Sequence, residues 1–197
     1  MTRQQTRFVL CAAVLTAGVV GCATVPAPFV RTKPDYEGLP ADALHDVALE
    51  IEQAVAAQNR EPDIPDRDGV IVNTELIQLA IRMRAGRFEQ LNAFLTAGYG
   101  VEKRNGHIYI LHSKEYKKET TRRQRNRDAQ MIQGETENRW TVYEGIVKAS
   151  GFPKKALSAV QEIFHEARLE TLAEGQKFES PSGDTVEKTS GDAKGSK

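Results

Sequence analysis

The side chains with the means to do chemistry are four histidines, two cysteines and a scatter of glutamates. His107 and His112 lie five apart on one run that reads as a strand, and an odd spacing puts them on opposite faces. Glu162 and His165 make a single Glu-x-x-His unit on a helix. A di-iron bundle needs two such units and two further glutamates. A zinc protease needs a second histidine, which does not follow His165-Glu166. The spacing therefore predicts surface or partly buried histidines, with no metal and no cofactor. Glu179, followed by Ser180, and Glu137 are the glutamates to weigh as general acids, but Pro181 sets Glu179 in a late turn. Ser182-Gly183 lacks the strand–turn–helix context of a nucleophile elbow, and there is no Gly-rich phosphate loop. No catalytic residue is assigned.

The cysteines point elsewhere. Residues 1–7 are polar, with Arg3 and Arg7, and Phe8 to Gly21 is an apolar run. A basic start followed by a run too short to span a bilayer has the form of a secretion signal. Cys11 sits inside that run and leaves with it, so Cys22 is alone and no internal disulfide forms. Val19-Val20-Gly21-Cys22 resembles the lipobox of bacterial lipoproteins. The resemblance implies thioether diacylglycerol on Cys22, cleavage after Gly21 and acylation of the new amino terminus. Two or more chains, at ~0.8 kcal/mol per buried CH2, hold a protein stably at a membrane. Ala23, where an aspartate would signal inner-membrane retention, points to the outer membrane of a Gram-negative envelope. That compartment excludes nucleic acid as a partner. It also brings cell-wall chemistry into view, because lytic transglycosylases use a glutamate followed by serine, though on a helix of a much larger domain.

The chain has 197 residues, with 27 basic and 27 acidic. Loss of the two signal arginines leaves 25 against 27, a net charge of −2. Residues 22–40 carry four prolines and read as an extended tether. Leu44, Val47, Ala48, Ile51 and Val55 mark one face of a helix over 41–59. A loop follows, with an Asp-Arg-Asp-Gly turn, and Val70-Ile71-Val72 is read as a short strand. Asn73 or Thr74 caps a second helix running to about Thr96, with Ile77, Ile81, Phe88, Leu91 and Leu95 as its stripe. Asn105-Gly106 between two strand-like runs predicts a β-hairpin from Tyr99 to His112, with both turn residues at positive φ. Helix resumes no later than Asp128 and runs to about Ala149, where Gly151 and Pro153 break it. Another spans Lys154 to Leu172 on Leu157, Val160, Phe164 and Ala167. A second hairpin is predicted around Pro181 to Asp184, and the tail from 189 is disordered.

Between Ser113 and Arg127 lie Lys114, Lys117, Lys118, Arg122, Arg123, Arg125 and Arg127. Contact with anionic headgroups or an acidic partner is one role for them. A solvated helix start with local ion pairs is the plainer one, favoured by the balanced total charge and the lack of an apolar face. Trp140, Tyr143 and Phe164 have helical spacing and read as core.

Several of these residues, in order, resemble the YdbL-like family of periplasmic proteins over about Leu91 to Lys188. Gly98, Val101, Glu102, Gly106 and Tyr109 match its opening segment, with Gly100 one place before Val101 rather than after it. Arg139 and Tyr143 match its Arg-x-x-x-Tyr helix, with Thr136 in place of an asparagine, and Lys148 and Gly151 follow. Gly175-Gln176-Lys177-Phe178 is similar to its Gly-x-Tyr-Val, and Gly183, Val186 and Lys188 match its close. The resemblance implies a fold and a compartment and brings no catalytic motif. It makes Gly98, Gly106 and Gly183 turn glycines, has Arg139 and Tyr143 hold helix to hairpin, and suggests a partner among the AsmA-like proteins that bridge the two membranes.

The expectation is an α+β protein of about four helices and one or two hairpins on a lipidated tether. Its parts are a signal over 1–21, a tether over 22–40, a helical part over 41–96, a YdbL-like domain over 97–188 and a tail over 189–197. The expected role is a non-enzymatic envelope lipoprotein, a binding or accessory subunit with a membrane-lipid contact through Cys22 and an envelope protein partner. A cell-wall hydrolase using Glu179 or Glu137 and a periplasmic lipid carrier are the alternatives.

Overall fold

A computed structural model describes residues 38–189. The expected signal, Cys22, most of the expected tether and the expected tail from residue 190 lie outside the described residues. The fold is α+β, as expected: the described residues form five α-helices and one four-stranded sheet. Helix α1 (Ala41–Ala56) turns its Leu44, Val47, Ala48, Ile51 and Val55 fully inward. Helix α2 (Glu75–Thr96) starts where the Thr74 hydroxyl accepts the Ile77 amide, the cap its sequence asks for. It ends in a Schellman motif, with Gly98 at φ +73° donating to Leu95 and Tyr99 donating to Phe94.

Strands β1 (Gly100–Glu102) and β2 (Ile108–Ile110) form the first hairpin, and β3 (Lys177–Glu179) and β4 (Thr185–Glu187) the second. The two join side by side through a parallel β1–β3 pairing, giving the order β2-β1-β3-β4. Between the hairpins run α3 (Lys114–Glu119), α4 (Arg122–Ala149), a 3-10 turn (Lys154–Ala156) and α5 (Leu157–Thr171). Helix α1 packs on α5 and α2 on α4. Residues 41–96 and 97–188 therefore belong to one unit, and the expected boundary at 96 separates nothing. Their shared core holds Leu44, Ile51, Ile81, Val142, Ile146 and Phe164.

Several expectations need correcting. Val70-Ile71-Val72 makes no strand. Val70 only bridges Arg67, while the Ile71 amide donates to Ser150 Oγ (2.8 Å) and the Val72 amide to Asp66 Oδ1 (2.7 Å). Side chains have taken the groups that a ladder would use. The first hairpin does not turn on two positive-φ residues. Gly106 alone is left-handed there, at φ +82°. Its amide donates to the Lys103 carbonyl, and the Lys103 amide donates to that of His107. This is a three-residue loop with a glycine bulge, and both histidines fall outside the strands. Helix α4 begins at Arg122, within the bound expected at Asp128, where Thr121 caps it by accepting the Gln124 amide. A short extra helix, α3, precedes it and buries Tyr116, giving the basic run the apolar anchor it was expected to lack.

Gly106 is also a contact. A Cβ placed there would lie 2.6 Å from the Tyr143 ring. Gly106→Ala meets both that clash and a backbone conformation foreign to alanine, so it should cost about 1–3 kcal/mol. A drop in the urea midpoint at unchanged m-value is the expected result, and an unchanged midpoint would contradict it.

Candidate functional site

Each long helix carries a charged residue in the stripe that faces the core. Glu52 follows Ile51 on α1, Arg84 sits between Ile81 and Phe88 on α2, Glu135 and Arg139 follow Ile132 on α4, and Arg168 follows Ala167 on α5. Glu102 on β1 joins them. These six side chains are at most 4% exposed.

Together they close a ring of alternating charge. Arg84 grips Glu52 with two bonds (2.7 and 3.2 Å) and gives its Nε to Glu135 (2.9 Å). Glu135 Oε1 also accepts Arg139 Nε (2.8 Å). Arg139 holds Glu102 through both terminal nitrogens (2.6 and 2.8 Å). Arg168 completes the circuit more loosely, 3.5 Å from Glu102 and 3.7 Å from Glu52. Three arginines face three carboxylates, so the ring itself is neutral. Arg87, less buried, adds a further contact to Glu135 at 3.3 Å.

Burial works against ionising these carboxyls, but the arginines outweigh it. Burial pushes Glu135 up, while Arg84 and Arg139 bring it down to about 2. Burial likewise raises Glu102, and Arg139, then Arg168, hold it below the usual carboxylate range. Burial pushes the Arg139 guanidinium down, and Glu102 and Glu135 pull it well up. A carboxyl held ionised in this way has no proton to give as a general acid. Beside the ring lies a cavity of about 30 Å3, walled in part by Phe88, Leu91, Asn92 and Gln176. That is room for about one water. Arg168 Nη2 finds no acceptor.

Of the residues singled out from the sequence, Arg139, Tyr143 and Gly106 meet at this ring and the others lie away from it. Arg139 spans from α4 to the first hairpin through Glu102 and the Gly106 carbonyl (3.3 Å). Tyr143 lies beneath Gly106, packs on Phe164 and accepts a bond from Arg168 Nη1 (2.5 Å). Gly183, at φ +92°, shapes the second hairpin loop as Gly106 shapes the first. Gly98 ends α2. Glu179 is buried rather than exposed at its turn. It sits 3.1 Å from Lys103 Nζ and accepts the Arg104 amide. Glu162 is forked by the Arg104 guanidinium, which also reaches the Pro181 carbonyl, so both hairpin loops are tied to α5. Glu137 is exposed and bonds Gln133.

The histidines do not converge. His107 meets the edge of Trp140, His112 is exposed, and His165 is buried with Nε2 3.1 Å from the Glu179 carbonyl. Burial, with Arg168 nearby, lowers His165 to about 4. Among the described residues no group of three or more His, Cys, Asp or Glu side chains could hold a metal. None of their helices is long and apolar enough to cross a membrane. In the basic run, Arg125 caps α3 at the Thr120 carbonyl, and Tyr116 donates to Asp128 (2.8 Å). Lys114, Lys117, Lys118, Arg122, Arg123 and Arg127 are exposed.

Glu52, Arg84, Glu135 and Arg168 were missed in the sequence. The signal was present as charges of both signs at positions where each stripe calls for an apolar residue. No known protein family, curated protein or solved structure matches this chain.

Proposed function

We propose that this chain is a non-enzymatic lipoprotein of the cell envelope, an accessory or binding subunit held at the periplasmic face of the outer membrane by acyl chains on Cys22. The address rests on the sequence, where Val19-Val20-Gly21-Cys22 closes a basic and then apolar leader. The YdbL-like resemblance suggests that its partner belongs with AsmA-like envelope-bridging proteins.

The observation that carries the non-catalytic reading is the closed ring. The carboxylates of the ring are held by two arginines each at Glu52 and Glu102 and by three at Glu135. A cell-wall hydrolase wants a carboxyl with a raised pKa beside an open cleft. Glu135 and Glu102 are shifted the other way, Glu179 is paired to Lys103, and Glu137 stands on the surface. A lipid carrier wants an apolar cavity several hundred Å3 in volume. The space beside the ring is about 30 Å3 and shared between the ring's charges and apolar side chains, and the larger groove of about 430 Å3 beside the end of α2 carries Gln124, Arg127 and Asp128 in its walls along with Phe94 and Met131. A rigid, ion-tied scaffold suits presentation of a surface better than turnover.

Cys22→Ser should abolish palmitate incorporation and move the protein from the membrane to the soluble periplasmic fraction. Intact mass of the natural product should show cleavage before residue 22 and a diacylglyceryl thioether. An unprocessed start or a bare thiol would end the proposal. Pull-down of the anchored protein should recover one abundant envelope protein. Recovery of none, with muropeptide release by the purified chain, would favour the hydrolase.

A further inference from the structure

Helix α2 has a second face. Opposite its core stripe, Leu76, Leu79, Met83, Gly86, Gln90 and Ala93 follow one another three and four residues apart, and all are exposed. Leu76 is 68% exposed, Leu79 47% and Met83 49%. Alternating three- and four-residue steps are the spacing of a seam for another helix. Exposed apolar residues are unremarkable singly, but three large ones, Leu76, Leu79 and Met83, in register on one helix face are not.

The order of sizes in the row narrows the occupant. Its N-terminal half is large and apolar, and its C-terminal half is small at Gly86 and Ala93 with the polar Gln90 between them. Two copies of α2 laid antiparallel set large on small in two layers, Met83 on Gly86 and Leu76 on Ala93, and lay Leu79 along the aliphatic stem of Gln90. A parallel pair would stack Leu76 on Leu76 and leave Ala93 facing Ala93. The charges along the edge agree. Arg82 and Glu89 are both exposed, and in the antiparallel register Arg82 of each copy meets Glu89 of the other, twice over. A parallel register would set Arg82 against Arg87.

The surface has a receptor for the largest knob. At the small end of the row, a groove of about 430 Å3 opens between the end of α2, Tyr99 and the start of α4, with Ala93, Phe94 and Met131 in its walls. Leu76 of a second copy arrives there. Two side chains must move. The exposed Arg60 guanidinium lies over Gly86, 3.1 Å from where a Cβ would stand, and it swings aside to admit Met83, while Arg82 gives up its 3.4 Å bond to the Arg60 carbonyl to reach Glu89.

We propose that the outward face of α2 is a self-association surface, on which two copies pair antiparallel about a two-fold axis between Met83 and Gly86. Such an isologous contact uses the same patch twice. It goes beyond the proposed function and does not depend on the lipid anchor.

The test uses the full chain, purified with its native processing, in a mild detergent, with mass measured across a concentration series. A dimer is expected. Arg82→Glu and Glu89→Arg should each weaken it about tenfold or more, since each change puts two like-charge pairs in the interface. The double variant should restore it, an outcome that a general loss of folding cannot mimic. Leu79→Cys with Gln90→Cys should give a disulfide-linked dimer on oxidation. Leu79→Cys alone should not, because its two copies lie roughly 16 Å apart along the axis. A monomer at every concentration, or a dimer indifferent to Arg82→Glu, overturns the proposal.

Discussion

Glu135→Ala is expected to cost this domain roughly 3–5 kcal/mol, the usual penalty for breaking a buried ion pair by removing one side. Glu135 is the acceptor for Arg84, Arg87 and Arg139 at once. Its loss leaves a buried ring of three arginines facing two carboxylates. Against a total stability of about 5–15 kcal/mol, that is a large part of the whole. The ring makes a sharper claim than the single change does. Removing Arg84 together with Glu135 restores neutrality and leaves an alternating row of Glu52, Arg168, Glu102 and Arg139. Arg84→Met with Glu135→Leu should therefore be less destabilised than the sum of the two singles, and no worse than the poorer of them. Urea unfolding of the four proteins gives that cycle directly. Singles that cost under about 1 kcal/mol and add would show the ring to be bystander charge.

Acid should unfold the protein in two stages of the same sign. His165 has a folded pKa of about 4 because burial opposes its charge and Arg168 repels it. In the unfolded chain it takes a proton near 6.5. Between those values the unfolded state holds the extra proton, so stability falls as pH falls from about 6.5 to about 4, by roughly 3 kcal/mol in all. Glu135 then acts. Its carboxyl is unfavourably buried but held by Arg84 and Arg139 at about 2, against ~4.3 unfolded. Its contribution is full above the unfolded value and is lost as pH drops through the folded one. Urea midpoints at pH 7, 5.5 and 4 should fall in sequence. His165→Gln should flatten the upper stage and leave the lower one. An equally steep fall between pH 6.5 and 4 in that variant would refute the assignment.

Much of this architecture is legible in the order of the amino acids, and the part that is not has a common cause. The stripes on α1, α2, α4 and α5 are periodic, local and apolar, so they can be read residue by residue. The cap at Thr74 is as local and is read with them, whereas those at Ser113 and Thr121, equally local, lie in a polar run where no apolar stripe marks a helix start. Turn chemistry is readable but ambiguous. Asn105-Gly106 has the dipeptide of a tight two-residue hairpin, yet Arg104 is drawn to Glu162 and the turn takes a third residue. The two-residue form occurs at Asp68-Gly69 instead, both at positive φ, closed by paired bonds between Arg67 and Val70. The ion ring was hidden for a different reason. A charged side chain in an isolated stripe looks like an irregularity at the surface. It becomes intelligible only when five elements meet and supply its counterions, and pairings such as Arg139 with Glu102 cross from a helix to a strand far away in the chain. The parallel join of the hairpins is long-range in the same way.

That join has a consequence for the order in which the chain can fold. Val101 and Glu102 find partners in Lys177 and Phe178 only after three helices have been made and brought back. Contacts this distant in sequence form slowly, because loop closure precedes any gain from them. Until then the free side of β1 is an unpaired edge, ready to template another nascent molecule. A chain interrupted short of Lys177 would keep that edge permanently, and truncations there should aggregate where ones trimmed only within the tail should not.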